Sequence, residues 1–199
     1  VLNHRTLEDA LSYLLAYKLG SETLPSVSLR ELIDEAFQND PSIGRAIRED
    51  LQAVRTRDPA CRVYSTPLLY FKGFHGIQAH RVAHYYWKRD RISLALFLQS
   101  RVSEVFGMDI HPAARLGKGI LVDHATGLVI GETAVVEDNV SMLHEVTLGG
   151  TGKEVGDRHP KVRKGVLIGA GAKILGNVEI GEGAKIGAGS VVLTPVPAH

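Results

Sequence analysis

In the stretch VDHATG (122–127) an aspartate and a histidine, Asp123 and His124, stand side by side, and Asp109 lies fifteen residues earlier. A carboxylate against one imidazole nitrogen fixes the tautomer and supports the positive charge that develops when the other nitrogen takes a proton. Such a pair is a general base. The plainer alternative is a surface histidine on one face of a repeating structure. Farther along, DRHPK places Arg158 beside His159. These two either belong to a solvated basic loop or reach over a neighbouring site to hold a carboxylate or an oxyanion. His144, in SMLHEVTL, keeps step with the residues around it and reads as a face residue or a contact between copies.

Other residues could bind without reacting. Lys153, Lys161, Arg163, Lys164, Lys173 and Lys185 could meet the phosphates of a nucleotide-bearing ligand, although a mixed surface explains each one separately. Gly149, Gly150, Ala170, Gly171 and Ala188 leave a wall nearly free of side chains, along which an extended pantetheine arm could hydrogen-bond to the backbone. A zinc site built from His124, His144 and His159 is disfavoured by their irregular spacing, and no metal is expected. His80 and His84 have the i, i+4 spacing of metal ligands, but Arg81 follows His80 where a metalloprotease motif needs Glu. With Tyr85, Tyr86 and Trp87 adjacent, packing is the expected role of both, and of His75 and His111.

The elements that must position these residues have two different periods. Residues 1–107 read as helices. Thr6 can cap LEDALSYLLAYKLG, and Ser28 with Glu31 makes a capping box for SLRELIDEAFQN. Asp40-Pro41 opens a third helix, with proline at the first helical position. A loop is expected at 56–66, one long helix from Thr66-Pro67 through Asp90, and a last helix ending at Gly107. From Ile110 onward aliphatic residues recur six apart: Ile110, Leu116, Val122; then Ile130, Val136, Met142, Leu148; then Ile168, Ile174, Ile180, Ile186, Val192. This period belongs to a parallel β-helix of hexapeptides, three to a coil, with the aliphatic residue inward and small residues at the corners. The expected architecture is α+β: a helical domain at 1–107, then a left-handed parallel β-helix at 108–199. Register breaks twice, between Val122 and Ile130 and between Leu148 and Ile168. The second break carries the glycine-rich, charged stretch 149–165, expected as a loop thrown out of the solenoid.

Composition agrees with an ordinary globular protein. The 199 residues are 44% hydrophobic and 23% charged, with a formal net charge of +1, too near neutral for bulk-charge binding of nucleic acid. One cysteine, Cys61, excludes an intrachain disulfide framework and fits a reducing cytoplasm. No signal peptide or membrane span is expected. The sequence starts at Val1 and stops at PVPAH, so tails are expected to be missing at both ends.

AVRTRDP, YSTPLLYFKGFH, DIHPAARLGKGILVDHATG, VIGETAVVEDNVSMLHEVTLGGTGK and GDRHPKVRKGVLIGAGAKILGNVEIGEGAKIGAGSVVL together resemble the serine O-acetyltransferases of cysteine biosynthesis, across both halves of the chain. The resemblance implies transfer of acetyl from acetyl-CoA to the hydroxyl of L-serine, with inhibition by L-cysteine at the serine site. It implies His124 as general base and Asp109 as its supporting acid. It implies serine contacts at Asp58, Asp123, Arg158 and His159, and CoA contacts at Gly150, Ala170, Lys185 and Ala188. It also implies a homotrimer through the β-helix, with sites between subunits, and pairing of two trimers into a homohexamer through the helical halves. Binding of O-acetylserine sulfhydrylase would need a tail beyond His199. Two rivals remain: an acetyltransferase for an amino sugar or another hydroxyl, which would have no use for Asp58 and Arg158, and a binding scaffold whose histidines are incidental.

Overall fold

The computed structural model describes residues 3–199. Six helices come first: α1 (Leu7–Leu19), α2 (Ser26–Asn39), α3 (Pro41–Arg57), α4 (Ser65–Tyr70), α5 (Lys72–Trp87) and α6 (Ile92–Phe106). Thr6 caps α1 by accepting a hydrogen bond from the Asp9 amide, and Asp40 caps α3 by accepting from Ser42, one residue past Pro41. The Ser28–Glu31 capping box is not formed. α2 begins two residues earlier, after Pro25, whose fixed φ starts the helix without a side-chain cap. The single long helix expected from Thr66 onward is two, because Phe71 leaves helical geometry at φ −87°, ψ 107°. α6 ends on Gly107, whose φ of 67° is the left-handed closure that glycine adopts freely. α5 is buried on nearly every side and forms the centre of the helical half.

Thirteen short strands follow, from β1 (Met108–Ile110) to β13 (Val191–Val192), all pairing in parallel. They stack into three faces. The first contains β1, β4 (Leu128–Ile130), β7 (Thr147–Gly149), β10 (Lys173–Leu175) and β13. The second contains β2 (Arg115–Leu116), β5 (Val135–Val136), β8 (Lys161–Val162) and β11 (Glu179–Ile180). The third contains β3 (Leu121–Val122), β6 (Ser141–Met142), β9 (Leu167–Ile168) and β12 (Lys185–Ile186). This is the triangular left-handed β-helix that the six-residue period implies. Ile130, Val136, Met142, Leu148, Ile168, Ile174 and Ile180 stack along its axis at 0–1% exposure. Burying each such side chain is worth roughly 1.5–3 kcal/mol. The solenoid core is continuous with the helical core, and Met108 fills the space that Gly76 of α5 leaves open.

The excursion from the solenoid is shorter than 149–165. It ends at Pro160, and β8 re-enters the second face with Val162 pointing inward, six residues before Ile168. Among the described residues no helix is long and apolar enough to cross a membrane.

Candidate active site

The two extra residues between Val122 and Ile130 form a turn at the edge where the third face gives way to the first. His124 and Ala125 both adopt left-handed φ, 58° and 65°. Two consecutive non-glycine residues in that region each cost of order 1–3 kcal/mol, a strain that folds keep chiefly where a side chain must be presented. The His124 side chain is 71% exposed, and its Nε2 lies 3.6 Å from Asp123 Oδ2. The turn opens onto a cleft of about 710 Å³, walled on one side by Val122, Asp123 and His124 and on the other by Asp58, Pro59, Ala60 and Tyr70 through Gly73. Asp58 is the residue after α3, and its Oδ1 accepts from the Ala60 amide at 2.8 Å. Gly73 has to be glycine, since a Cβ there would stand 2.1 Å from the Val122 carbonyl oxygen. That close approach seats the start of α5 against the turn, and Lys72 Nζ donates to Thr126 Oγ1.

The same edge carries a column of corners stacked by backbone hydrogen bonds: Gly127 N to Gly107 O, Glu145 N to Thr126 O, Gly171 N to His144 O, and Gly189 N to Ala170 O. His144 therefore sits one coil beyond the His124 turn, its ring edge-on to His124 with centroids 5.7 Å apart. Ala170 and Ala188 continue the column with almost no side chain, and a Cβ built at Gly171 or Gly189 would meet no atom closer than 3.9 Å. Lys185 lies exposed on the third face beside this track. An extended ligand fits here.

Arg158 and His159 occupy a different edge, between the first and second faces. His159 is 7% exposed. Its Nδ1 lies 2.8 Å from Thr133 Oγ1, and the same hydroxyl accepts from the backbone amides of Arg158 and His159. Gly131 leaves room for the ring, because a Cβ there would come within 2.0 Å of it. Burial and the neighbouring Arg158 charge both pull the His159 pKa down. Arg158 Nη2 donates to Glu132 at 2.6 Å, which holds that carboxyl below the usual carboxylate range. Gly150 belongs to this second edge, where a Cβ built on it would lie 3.7 Å from His159 Nε2.

Asp109 is not stacked on His124 within one chain. The strand register pairs Asp109 with Val129 one coil on, and its Oδ1 accepts from Gln99 Nε2 at 2.7 Å. The acid nearest the imidazole in the single chain is Asp123. The sequence reading missed Tyr70 through Gly73, whose place in the cleft depends on the unannounced break at Phe71. It also missed Thr133 and Glu132, which sit in an unremarkable hexapeptide. A glycine before a bulky, buried histidine twenty-eight residues later leaves no local pattern to read. Among the described residues no group of three or more His, Cys, Asp or Glu side chains is placed to hold a metal ion.

A hexapeptide solenoid with a helical half in front, a presented imidazole and a side-chain-poor track beside it defines the class: a hexapeptide-repeat acyltransferase. A family model described as "Serine acetyltransferase, N-terminal" matches residues 1–79, and one described as "Bacterial transferase hexapeptide (six repeats)" matches 159–194. The serine acetyltransferase of Salmonella typhimurium is 62% identical over 199 residues, covering 100% of this chain and 73% of that protein. A solved serine acetyltransferase in complex with cysteine is 63% identical with a TM-score of 0.98, covering 100% of this chain and 82% of that one. A soybean serine acetyltransferase complexed with serine is 62% identical at TM-score 0.98, over 100% and 82% of the two chains. One from Brucella abortus in complex with coenzyme A is 56% identical at TM-score 0.98, over 100% and 79%. The chain belongs to the serine acetyltransferase family.

Proposed function

We propose that the chain transfers the acetyl group of acetyl-CoA to the hydroxyl of L-serine, giving O-acetyl-L-serine and CoA, and that L-cysteine inhibits it at the serine site. The observation that carries this reading is the cleft in which the strained turn presents His124 beside Asp123 and across from Asp58. Serine is a zwitterion, so its recognition needs both signs of charge. Asp58 and Asp123 receive the ammonium and Arg158 the carboxylate. A neutral sugar would leave those charges without partners.

His124 removes the hydroxyl proton as the serine oxygen attacks the thioester carbon, and the protonated imidazole is stabilised by carboxylate. The supporting acid proposed from the family pattern is Asp109, which must exchange its Gln99 hydrogen bond for one to the imidazole. Donors at the site, His159 among them, steady the oxyanion, and the C–S bond breaks to release the thiolate. CoA lies along the column of Ala170 and Ala188 with Lys185 beside it, and its acyl end meets Gly150 on the opposite wall.

The split of these residues between two edges of one prism supports a trimer. His124 with Asp58, and Arg158 with His159, converge only if one protomer's first edge faces its neighbour's second edge, a head-to-tail contact that closes into a ring. Exposed Tyr13, Tyr17 and Val27 on α1 and α2 are the apolar surface we assign to pairing of two trimers into a hexamer. The single thiol suits a cytoplasmic location. Docking on O-acetylserine sulfhydrylase is proposed only for a chain continuing past His199.

Serine-dependent CoA release, measured with and without cysteine, tests the reaction, and activity on amino sugars but not serine overturns it. Subunit mixing tests the assembly. H124A and R158A are each expected to be nearly inactive, yet refolded together they should restore about one quarter of the sites, the fraction of random interfaces with both halves intact. No recovery on mixing would place the whole site in one protomer.

A further inference from the structure

Asp58 stands at the far wall of the cleft, on the residue just after a helix, in the half of the molecule with the helical period. Its distance from His124 depends on how the end of α3 is fixed to the solenoid. Arg57, the residue immediately before Asp58, is solvent-exposed, yet its guanidinium donates four hydrogen bonds to the β-helix. Nη1 reaches the Asn139 carbonyl and Ser141 Oγ, each at 3.0 Å, and Nη2 reaches the Gly119 carbonyl at 3.0 Å and Asn139 Oδ1 at 3.1 Å.

The acceptors are prepared for that fork. Gly119 and Asn139 are successive corners of one edge, both left-handed at φ 67° and 62°. A Cβ on Gly119 would stand 2.4 Å from Asn139 Oδ1, so the corner needs glycine if the Asn139 amide is to lie where Arg57 meets it. All four acceptors are uncharged, so the contact carries direction more than ion-pair energy. Opposite it, Cys61 packs against Leu121 and Val54. The short loop holding Asp58 is thus tied to the solenoid on both sides.

We propose that Arg57 is a positioning residue for the amino-acid substrate: by bridging two corners of the β-helix it sets Asp58 at the distance at which the carboxylate meets the substrate ammonium. This rests on the assignment of Asp58 to serine recognition. Misplacement of a binding group by about 1 Å can cost on the order of a hundredfold, and here the loss falls on serine and cysteine alone.

The experiment is steady-state kinetics of the assembled enzyme for Arg57→Ala, Arg57→Lys and Asn139→Gly, with Asp58→Ala in parallel. Asn139→Gly keeps the left-handed corner and its carbonyl and removes one acceptor, so the test survives if Arg57→Ala folds poorly. Lys118→Ala, which removes a surface contact to Glu49 at the same junction, is the control for general loosening. For Arg57→Ala the KM for serine and the inhibition constant for cysteine should rise by about tenfold or more while kcat and the KM for acetyl-CoA stay within about threefold. Arg57→Lys and Asn139→Gly should give smaller rises in the same two constants, and Lys118→Ala none. If Asp58→Ala raises the serine KM and Arg57→Ala does not, the positioning role is wrong and the Asp58 assignment stands. If Asp58→Ala leaves the serine KM unchanged, the assignment fails and the inference falls with it. If acetyl-CoA and serine constants rise together, with Lys118→Ala matching them, Arg57 only holds the halves together.

Discussion

The two halves of the molecule treat polar side chains in opposite ways. In the helical half Ser12, Asp50, His75, Gln78, His80 and Arg81 are all at most 9% exposed. In the solenoid only Ser141 and His159 among polar residues are so covered, and its axis is aliphatic from Ile110 to Ile186. The reason is backbone accounting. Coils of the solenoid satisfy one another's amides and carbonyls, so nothing polar is needed inside, and the residues that could do chemistry point outward. The first coil has no preceding coil on its helical side. The helices supply the missing partners there: His84 Nδ1 with the Pro112 carbonyl at 2.7 Å, His80 Nε2 with Ala114 at 3.2 Å, Arg81 with Gly117 at 2.7 Å, and Asp50 accepting from the Ile120 amide at 2.8 Å. Polar groups outside the solenoid are thus free for reaction, and those inside the helical half are committed to sealing its end.

The sharpest test of that division is the exposed imidazole of the turn. His124→Ala should lose turnover by about a hundred- to ten-thousandfold, the usual worth of a general base. Its melting temperature should change little, since the side chain is largely exposed and alanine keeps the left-handed turn as histidine does. Near-normal turnover would return His124 to an ordinary surface residue. The converse test is Asp50, whose carboxylate takes Arg81 Nη2 at 2.7 Å, Gln78 Nε2 at 2.8 Å and the Ile120 amide. Asp50→Ala leaves a buried guanidinium without its counter-charge and should cost about 3–5 kcal/mol of stability, read by denaturant unfolding. The folded fraction should keep both substrate KM values. A variant that melts normally but loses serine affinity would put Asp50 in the site.

Much of this was legible in the sequence, and what was not has a physical reason. The hexapeptide period exposed the solenoid, because each inward residue repeats on a fixed count. The two breaks in that count marked the His124 turn and the excursion before His159. Thr6 and Asp40 were readable as caps because their contacts are local. Ser28 was misread because Pro25 can start α2 sooner. The break at Phe71 carries no proline or cap signal of its own, and the packing of Gly73 on Val122 that decides the geometry is a contact between residues far apart in sequence. Asp109 was expected against His124 from a spacing of fifteen, but a coil takes twenty residues here, so the strand sets Val129 beside Asp109. The i, i+4 pair His80 and His84 was read as packing, and its role as partner to the carbonyls of the first coil could not be seen without knowing which corner α5 meets.

The smallest effect concerns acid. Burial pushes the pKa of His75 down to about 4 and that of His80 down to about 3. Both are neutral in the folded protein at pH 7, while an unfolded chain begins to protonate them near pH 6.5. As pH falls below that value the unfolded state binds protons that the folded state refuses. The contribution to stability is therefore complete above about pH 6.5 and shrinks as pH drops toward the folded values. At pH 5.5 the loss should be about 1.4 kcal/mol for each histidine. The solenoid's axis is aliphatic, and its own lowered histidines, His111 and His159, sit on its outer edges rather than in its core. Trp87, the one tryptophan, ends α5 and reports on the helical half. Its fluorescence transition in denaturant, taken at fixed protomer concentration, should move to lower denaturant between pH 7.5 and 5.5. In the His75→Gln, His80→Gln double variant, which puts neutral side chains in their place, that movement should largely vanish. An equal movement in the double variant would assign the acid sensitivity to other groups and erase this difference between the halves.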